Sequence, residues 1–517
     1  MTTVKKAFTE LLKNWKLALL LFVTLIVGQF AIQYMPTAFP KLYLILGTLA
    51  ILGVLLLVRF KEPAKLARNT VIILVLFGGV NSLTLPVSFD MDEPVHMMAS
   101  MQLADGRLTW SDNGTAFDKA STVYSDVAGL AVPGKRINLY SEKFRSIKNQ
   151  PTNYADFTAQ KPVNPAYIPS ALGIVLGRLI SPHFFVAFYL GRLFNLLTFA
   201  LFVFFAIKIS KKYKLAIVLM SMLPFTLWVT AGYNYDSFYY GLTLLLIAQL
   251  TNFFSKETLI SKKSMLWYAL TCAALVFVKA PVMLLIIVPL FLPATHFVSE
   301  RIKRWSIFVT AAFAFLGALW IGQKSILKLF GHAATQVATT AGVEKVSRVQ
   351  YYLQHPKNGL ALILRSLWDI PANTFNSLIE PHQWITHGSG GAYLINIVIM
   401  TLAMLFVSAH LAFKVTKKMK LVLSVILFLI AGAIIYAISG DSRVFHVGDL
   451  NVGGVQGRYY YFILAFLPLL IAEPVKKLFN TQALEKKLYK VSSQEMLVKM
   501  LLFMTFLNTV IGIYTYL

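Results

Sequence analysis

The sequence predicts an all-α polytopic membrane protein, and three observations carry that reading. Of 517 residues, 57% are hydrophobic and only 14% charged, where soluble domains carry roughly 25% charged residues; mean hydropathy is +0.66. Apolar residues gather in runs near 17–34, 41–58, 70–86, 184–207, 215–231, 237–254, 265–279, 281–296, 305–322, 393–413, 421–438, 459–473 and 500–516, most of them close to bilayer-crossing length. Basic residues crowd alternate connections between those runs, as in the cytoplasmic loops of membrane proteins.

The first run is not a cleavable signal. It is long, has no clear small-residue cleavage site and is followed by further spans. Lys5, Lys6, Lys13 and Lys16 precede it and place the N-terminus in the cytoplasm. Later basic groups at 59–68, 208–214, 256–263, 301–304, 414–420 and 476–499 bring the total on that side to 28 of 48 basic residues. They stay on one side only if 166–180 does not cross. That run is interrupted by Pro169, Gly173, Gly177 and Arg178, so it reads as an interfacial or re-entrant helix. The expectation is a chain of about thirteen transmembrane helices with its C-terminus outside. Segments 87–165 and 323–392 are then large extracytoplasmic loops, too long for simple turns. The organisation reads as an N-terminal cytoplasmic segment with two extra spans (1–69), a membrane core (70–475), and a basic cytoplasmic segment with a last span (476–517).

The net charge of +26 belongs to the cytoplasmic loops, so no nucleic-acid partner is expected; the partners are membrane lipids. The single cysteine, Cys272, excludes an intramolecular disulfide and a CxxC metal site.

The unusual polar residues collect on the outer side. "SFDMDEPVHMM" places Asp90, Asp92, Glu93 and His96 directly after an apolar run. Pro94 suits a first helical turn, with Asp92 as its N-cap and His96 on the same face at i,i+4. The plain alternative is a capped helix at the membrane surface. The chemical reading is a carboxylate that accepts a proton from an attacking hydroxyl, tuned by its neighbours. Asp92 and His96 alone make a weak metal site, since no further ligand set is evident. Asp236, in "GYNYDSF", opens an apolar run at the membrane edge, where a carboxylate needs a partner or a task; an interfacial N-cap is the alternative. Lys279, in "VKAP", divides 265–296 into two short spans. Arg458, in "GVQGRYYY", stands between Gln456 and Tyr459. Both cations suit a phosphate just outside the bilayer, or Lys279 simply snorkels. Arg192, in "GRLFNLL", lies within an apolar run and is a functional candidate, or pairs with Asn195 or a neighbouring helix. "EPHQWITHGSGG" (380–391), with Glu380, His382 and His387, reads as a mobile ligand-facing loop.

The motifs "DEPVHMMASMQLADGRL" (92–108), "GRLFNLL" (191–197), "NYDSF" (234–238), "VKAP" (278–281) and "GVQGRYYY" (454–461), in this order, resemble the domain-of-unknown-function 2142 family of bacterial membrane proteins. That family is placed in the GT-C superfamily of glycosyltransferases. The resemblance implies a GT-C-like fold in a bacterial plasma membrane and transfer from polyprenyl-phosphate sugar donors, typically with inversion. It implies that Asp92 and Glu93 form the acidic pair that acts as base or binds substrate and metal, with Asp90 as a further acid. A divalent metal, Mg or Mn, is the candidate cofactor. His96, Asp236, Lys279, Arg458, Gln456, Tyr459 and Arg192 are the candidate substrate-binding residues.

The leading expectation is a membrane glycosyltransferase that moves a sugar from a lipid-linked donor to a surface glycan or lipid-linked acceptor. The competing expectation is a transporter or flippase for lipid-linked saccharides. A transporter places its charged site near the midplane, often at broken helices in repeated halves. Here the acids sit at one rim and no repeat is evident.

Overall fold

The computed structural model describes residues 12–32, 63–130, 139–159, 161–162, 164–329, 348–379, 390–440, 444–478 and 493–516, with a few isolated positions. Most of the 41–58 run, the 380–389 stretch with Glu380, His382 and His387, and most of the basic 476–499 segment lie outside the described residues.

In chain order, α1 (Trp15–Ile32) and α2 (Leu66–Thr84) precede a segment of short elements. These are α3 (Glu93–Ala104), β1 (Thr109–Trp110), α4 (Gly114–Ala120), α5 (Thr122–Ala128), α6 (Glu142–Ser146) and β2 (Lys161–Pro162). Then come α7 (Ile168–Ile180), α8 (Phe184–Ile209), α9 (Lys214–Ser221), α10 (Pro224–Val229) and α11 (Asp236–Phe254). Next are α12 (Lys262–Ala274), α13 (Val276–Lys279), a 3-10 segment (Ala280–Phe291) and α14 (Glu300–Leu329). The rest are α15 (Arg348–Gln354), α16 (Pro356–Ile379), α17 (Gly390–Ala409), α18 (Lys417–Ile438), α19 (Tyr461–Leu478) and α20 (Ser493–Tyr516).

Among the described residues, six helical stretches are long and apolar enough to cross a bilayer: Leu66–Thr84, Phe184–Ile209, Lys262–Phe291, Glu300–Gly322, Lys417–Ile438 and Glu495–Gly512. Their exposed faces are greasy. Ile307, Phe308, Phe315 and Leu316 stand out from α14, and Leu421, Val425 and Leu429 from α18. Helices are the natural solution here, because they satisfy every backbone donor and acceptor internally where water is absent.

The chain divides into two compact units, 1–248 with 379–411 and 471–517, and 249–378 with 412–470. In the first unit, α2 packs on α8 and α20, and α20 also packs on α1 and α17. A reciprocal amide pair fixes the last contact. Asn396 donates to Asn508 Oδ1 at 2.8 Å, and Asn508 donates to Asn396 Oδ1 at 2.9 Å. Helix α7 is about 20 Å long, too short to cross a hydrocarbon core of about 30 Å. It lies antiparallel to the first turns of α8, so closely that a Cβ at Gly173 or Gly177 would collide with the Leu190 or Ala187 backbone. Small residues four apart allow such backbone approach. Ile168, Leu172, Leu176 and Leu179 form the exposed stripe of α7. The segment between α2 and α7 is a folded cap rather than an open loop. Met97, Met98, Met101, Phe117, Val127 and Phe144 bury themselves against Ile174, Phe184 and Phe188 of the α7–α8 hairpin. Asp105 ties the two parts, accepting from Arg178 at 2.6 Å, Tyr154 at 2.6 Å and Thr152 at 2.9 Å.

In the second unit the chain departs at Ile260 and returns beside it. Ile260 N–H donates to His296 O at 2.8 Å, and Val298 N–H donates to Ile260 O at 3.1 Å. Between them the helix α12–α13 runs out and the 3-10 segment runs back, linked by Tyr268 Oη donating to Leu285 O at 2.6 Å. The reversal falls at Lys279, whose backbone is non-helical. Pro281 and Pro289 each lack an N–H donor, which interrupts an α-helical return. Each leg is about 25 Å long. Thus 262–291 is a hairpin with Lys279 at its tip, not one rod.

Replacing Asn396 by Leu should leave Asn508 buried with half its partners and destabilise the protein by about 1 kcal/mol. The Asn396→Leu, Asn508→Leu double variant should recover much of that loss. Unfolding of purified protein in detergent mixtures measures both.

Candidate functional site

The first unit holds a buried ion pair beneath the acidic cluster. Arg192 is fully buried in α8, and Glu93 is 1% exposed. The guanidinium grips the carboxylate in bidentate fashion: Nε to Oε1 at 2.7 Å and Nη2 to Oε2 at 2.6 Å. Its other hydrogens go to Ser82 O, Leu85 O and Pro86 O at 3.1, 2.6 and 2.9 Å. All five donors of the fork are thereby used inside the protein. The sequence offers Arg192 either as a substrate contact or as a partner for a neighbouring helix; in the structure it clasps the C-terminal end of α2 to the start of α3. Glu93 also accepts from the backbone N–H of Ser88 at 2.8 Å and of Tyr233 at 3.3 Å.

This clasp holds a strained turn. Ser88 and Asp92 both adopt left-handed backbone conformations, with φ of 65° and 56°, at a cost on the order of 1–2 kcal/mol each. Asp92 occupies the N-cap position of α3, with Pro94 in the first turn as expected, but its side chain makes no capping bond. The left-handed φ turns the carboxylate away from the helix N–H groups, and Asp92 is exposed.

Asp90, by contrast, is 3% exposed. Its Oδ2 accepts from Asn234 Nδ2 at 2.7 Å, while Oδ1 has no hydrogen-bond partner among the described residues. A Cβ at residue 232 would strike this carboxyl, so Gly232 is what lets Asp90 approach. Burial first, and the Glu93 charge second, hold Asp90 well above the usual carboxylate range; Asn234, the Met91 backbone and Arg192 act in the opposite sense. Asn234 is a junction that sequence reasoning missed, although "NYDSF" contains it. Its Oδ1 accepts from Ser237 N–H at 3.2 Å, and its backbone O accepts from Asn195 at 3.1 Å. Asn234 thus supplies a capping oxygen at the start of α11.

His96 is buried, with Nδ1 2.7 Å from Tyr167 Oη. Its ring stands edge-on to Tyr235 at 5.0 Å. Burial, and then the charges of Tyr235, Asp236, Asp92 and Asp112, push the Tyr167 phenol up. Tyr167 therefore lies in the joint field of three carboxylates. Nothing in "NPAYIPS" announced this role. Asp236 is buried at the start of α11.

These residues do not converge as metal ligands. Glu93 is held by Arg192, His96 Nδ1 by Tyr167, and among the described residues no three His, Cys, Asp or Glu side chains are placed to hold a metal ion.

The second unit gathers the cations. Lys279 Nζ stands 3.5 Å from the centroid of the Tyr459 ring, and the Arg458 guanidinium 5.3 Å from it. Arg458 is 2% exposed, on a short 3-10 turn, Gly457–Tyr460. Beside it, Gln456 Oε1 and Tyr460 Oη are buried without hydrogen-bond partners among the described residues. The "VKAP" and "GVQGRYYY" motifs, 180 residues apart at Lys279 and Tyr459, thus meet on one aromatic ring.

Two outcomes follow. Arg192→Ala strands Glu93 in the interior and should destabilise the protein by about 3–5 kcal/mol; Arg192→Lys should recover only part, because one ammonium cannot replace a five-donor fork. Asp90 adds a pH dependence. A carboxyl raised by folding stabilises most at low pH, and that contribution is lost as pH rises through its folded pKa. Asp90→Asn should flatten the fall in thermal midpoint as pH is raised from the ordinary carboxylate range; an unchanged slope would contradict the buried, raised carboxyl.

No curated protein and no solved structure matches the chain. A protein-family match covers residues 74–470 with the description "Predicted membrane protein (DUF2142)". That stretch contains all five motifs and both clusters just described, and the chain belongs to this family of membrane proteins.

Proposed function

We infer that the protein is a GT-C-like glycosyltransferase of the bacterial plasma membrane, N-terminus inside, with about thirteen spans. It moves a sugar from a polyprenyl-phosphate donor to a surface glycan or lipid-linked acceptor on the outer face. The observation that carries this reading is the carboxylate arrangement: an exposed Asp92 on a strained turn, a buried Asp90 with one unpartnered oxygen, and a Glu93 committed to Arg192. Rigid positioning of a carboxylate on such a turn suits proton removal from an attacking hydroxyl. Asp92 is the base. As the acceptor oxygen bonds to the anomeric carbon, its proton passes to Asp92 and the bond to the lipid phosphate breaks. The phosphate leaves with the electron pair, a charge that cations stabilise, and Lys279 and Arg458, which share the Tyr459 ring within the second unit, have the chemistry for that task. One base and no covalent intermediate give inversion. His96 and Asp236, with Tyr167, flank the sugar.

Asp92→Asn should lower transfer by about 10²–10⁴-fold with folding intact, and Glu93→Gln should instead lower stability together with activity. Full activity in Asp92→Asn, measured with radiolabelled polyprenyl-phosphate sugars and purified protein, would remove Asp92 from the mechanism. Sidedness has a direct test. The native cysteine, Cys272, is buried, and Leu108 in the cap is 79% exposed. A Leu108→Cys variant should react with a membrane-impermeant maleimide in intact cells; labelling only after permeabilisation would put the site on the wrong side.

A further inference from the structure

Helix α16 in the second unit is built inside out. Leu360, Ile363, Leu364, Leu367 and Trp368 recur at i, i+3, i+4, i+7 and i+8, the spacing that gathers an apolar stripe on one helix face. Against a water-soluble core such a stripe turns inward. Here Leu360, Ile363 and Leu364 are exposed, as is Leu353 on α15, and Trp368 is 80% exposed. The opposite side carries polar groups. Ser366 is buried, and Asp369 lies within electrostatic reach of the Tyr460 phenol. The helix has 24 residues, yet it is not among the six stretches long and apolar enough to cross a bilayer.

Its place beside α18 accounts for the reversal. Across an open groove, Leu360, Ile363 and Leu367 face Phe428, Ile435 and Tyr436. Phe428 and Tyr436 lie on the same exposed face of α18 as Leu421, Val425 and Leu429, and α18 is one of the six stretches able to cross. Helix α16 therefore stands on the side of α18 that acyl chains cover, not against the protein core. The groove follows α18 from Phe428 to Ser439, a rise of about 16 Å, or about half of a hydrocarbon core. Tyr352 on α15 binds the chain that leaves α18: its Oη donates to Asp449 O at 2.7 Å and accepts from Gly448 N–H at 3.3 Å. The start of α16 is thereby held where α18 ends.

Charge completes the match. Lys357 and Arg365 are exposed, and Asp369 is the only acid between residues 356 and 370. Exposed cations flanking an apolar stripe that ends in tryptophan suit a helix lying at a membrane–water boundary.

We propose that α16 lies in the bilayer surface at which α18 ends, with its stripe among acyl chains and Lys357 and Arg365 on the phosphates of anionic lipids. Part of the 323–392 segment is then a lipid-binding surface instead of a free loop. This contact stands whether or not the protein transfers a sugar.

The probe is an NBD fluorophore on Leu364→Cys, in full-length protein reconstituted in nanodiscs, which leave both bilayer faces open to solutes. The native Cys272 is buried, and unmutated protein serves as the labelling control. NBD at position 364 should be quenched by phosphatidylglycerol spin-labelled on its acyl chain. It should be about threefold or more less sensitive to iodide than NBD on Leu108→Cys in the exposed cap. At equal mole fraction, spin-labelled phosphatidylglycerol should quench about twofold more than spin-labelled phosphatidylcholine. The Lys357→Gln, Arg365→Gln double variant should lose that preference and keep the quenching by phosphatidylcholine. Iodide access equal to that at position 108 would overturn the proposal, as would equal quenching by the two lipids. Shielding from iodide without quenching by either lipid would mean that a protein covers the stripe, and would overturn it too.

Discussion

The turn between α2 and α3 depends on one buried ion pair. Charges are taken out of water only at a large desolvation penalty, which is offset when both partners are fully hydrogen-bonded. Arg192 and Glu93 meet that condition. Every guanidinium hydrogen has an acceptor, and the carboxylate has backbone donors besides. The pair joins the end of α2, the turn at Ser88–Asp92, the start of α3 and the middle of α8. It thereby over-determines two left-handed residues that would relax in a looser frame. The consequence is chemical as well as mechanical. Burial, and then the Glu93 charge, raise the Asp90 carboxyl well above its ordinary range.

The second unit solves a different problem with the same materials. A chain segment of bilayer-crossing hydropathy turns back on itself at Lys279, because prolines interrupt its helix and a backbone bridge joins its ends. The tip then carries a cation to the face of Tyr459, where Arg458 is already held. Aromatic faces attract cations, which lets two like charges share one small volume.

Much of this was legible in the sequence, and the limits are physical. Long apolar runs announced the six helical stretches able to cross a bilayer, since most side chains of such a helix face lipid or an apolar core. The prolines and glycines in 166–180 set that run apart from the longer ones; α7 is thirteen residues long, with glycines that serve close packing against α8. Lys279 was read as a divider and is the tip of a hairpin. The acids were found because charge is rare in such a chain. What could not be read was pairing across long separations. Arg192 and Glu93 are 99 residues apart, and no spacing rule links them, so one looked like a ligand and the other like a base. Asn234 and Tyr167 escaped because neutral polar residues carry no signal until their neighbours are known. The cap was legible only as length: its core is assembled from single residues on short helices, packed on a hairpin that lies later in the chain.

The proposed transfer uses a single positioned base against a lipid-phosphate leaving group. The anomeric configuration of the sugar in the product, determined by NMR after turnover of a donor of defined configuration, tests it most directly. Inversion is the predicted result. Retention would require a nucleophile that attacks the sugar itself, and would contradict the roles given to Asp92 and Glu93.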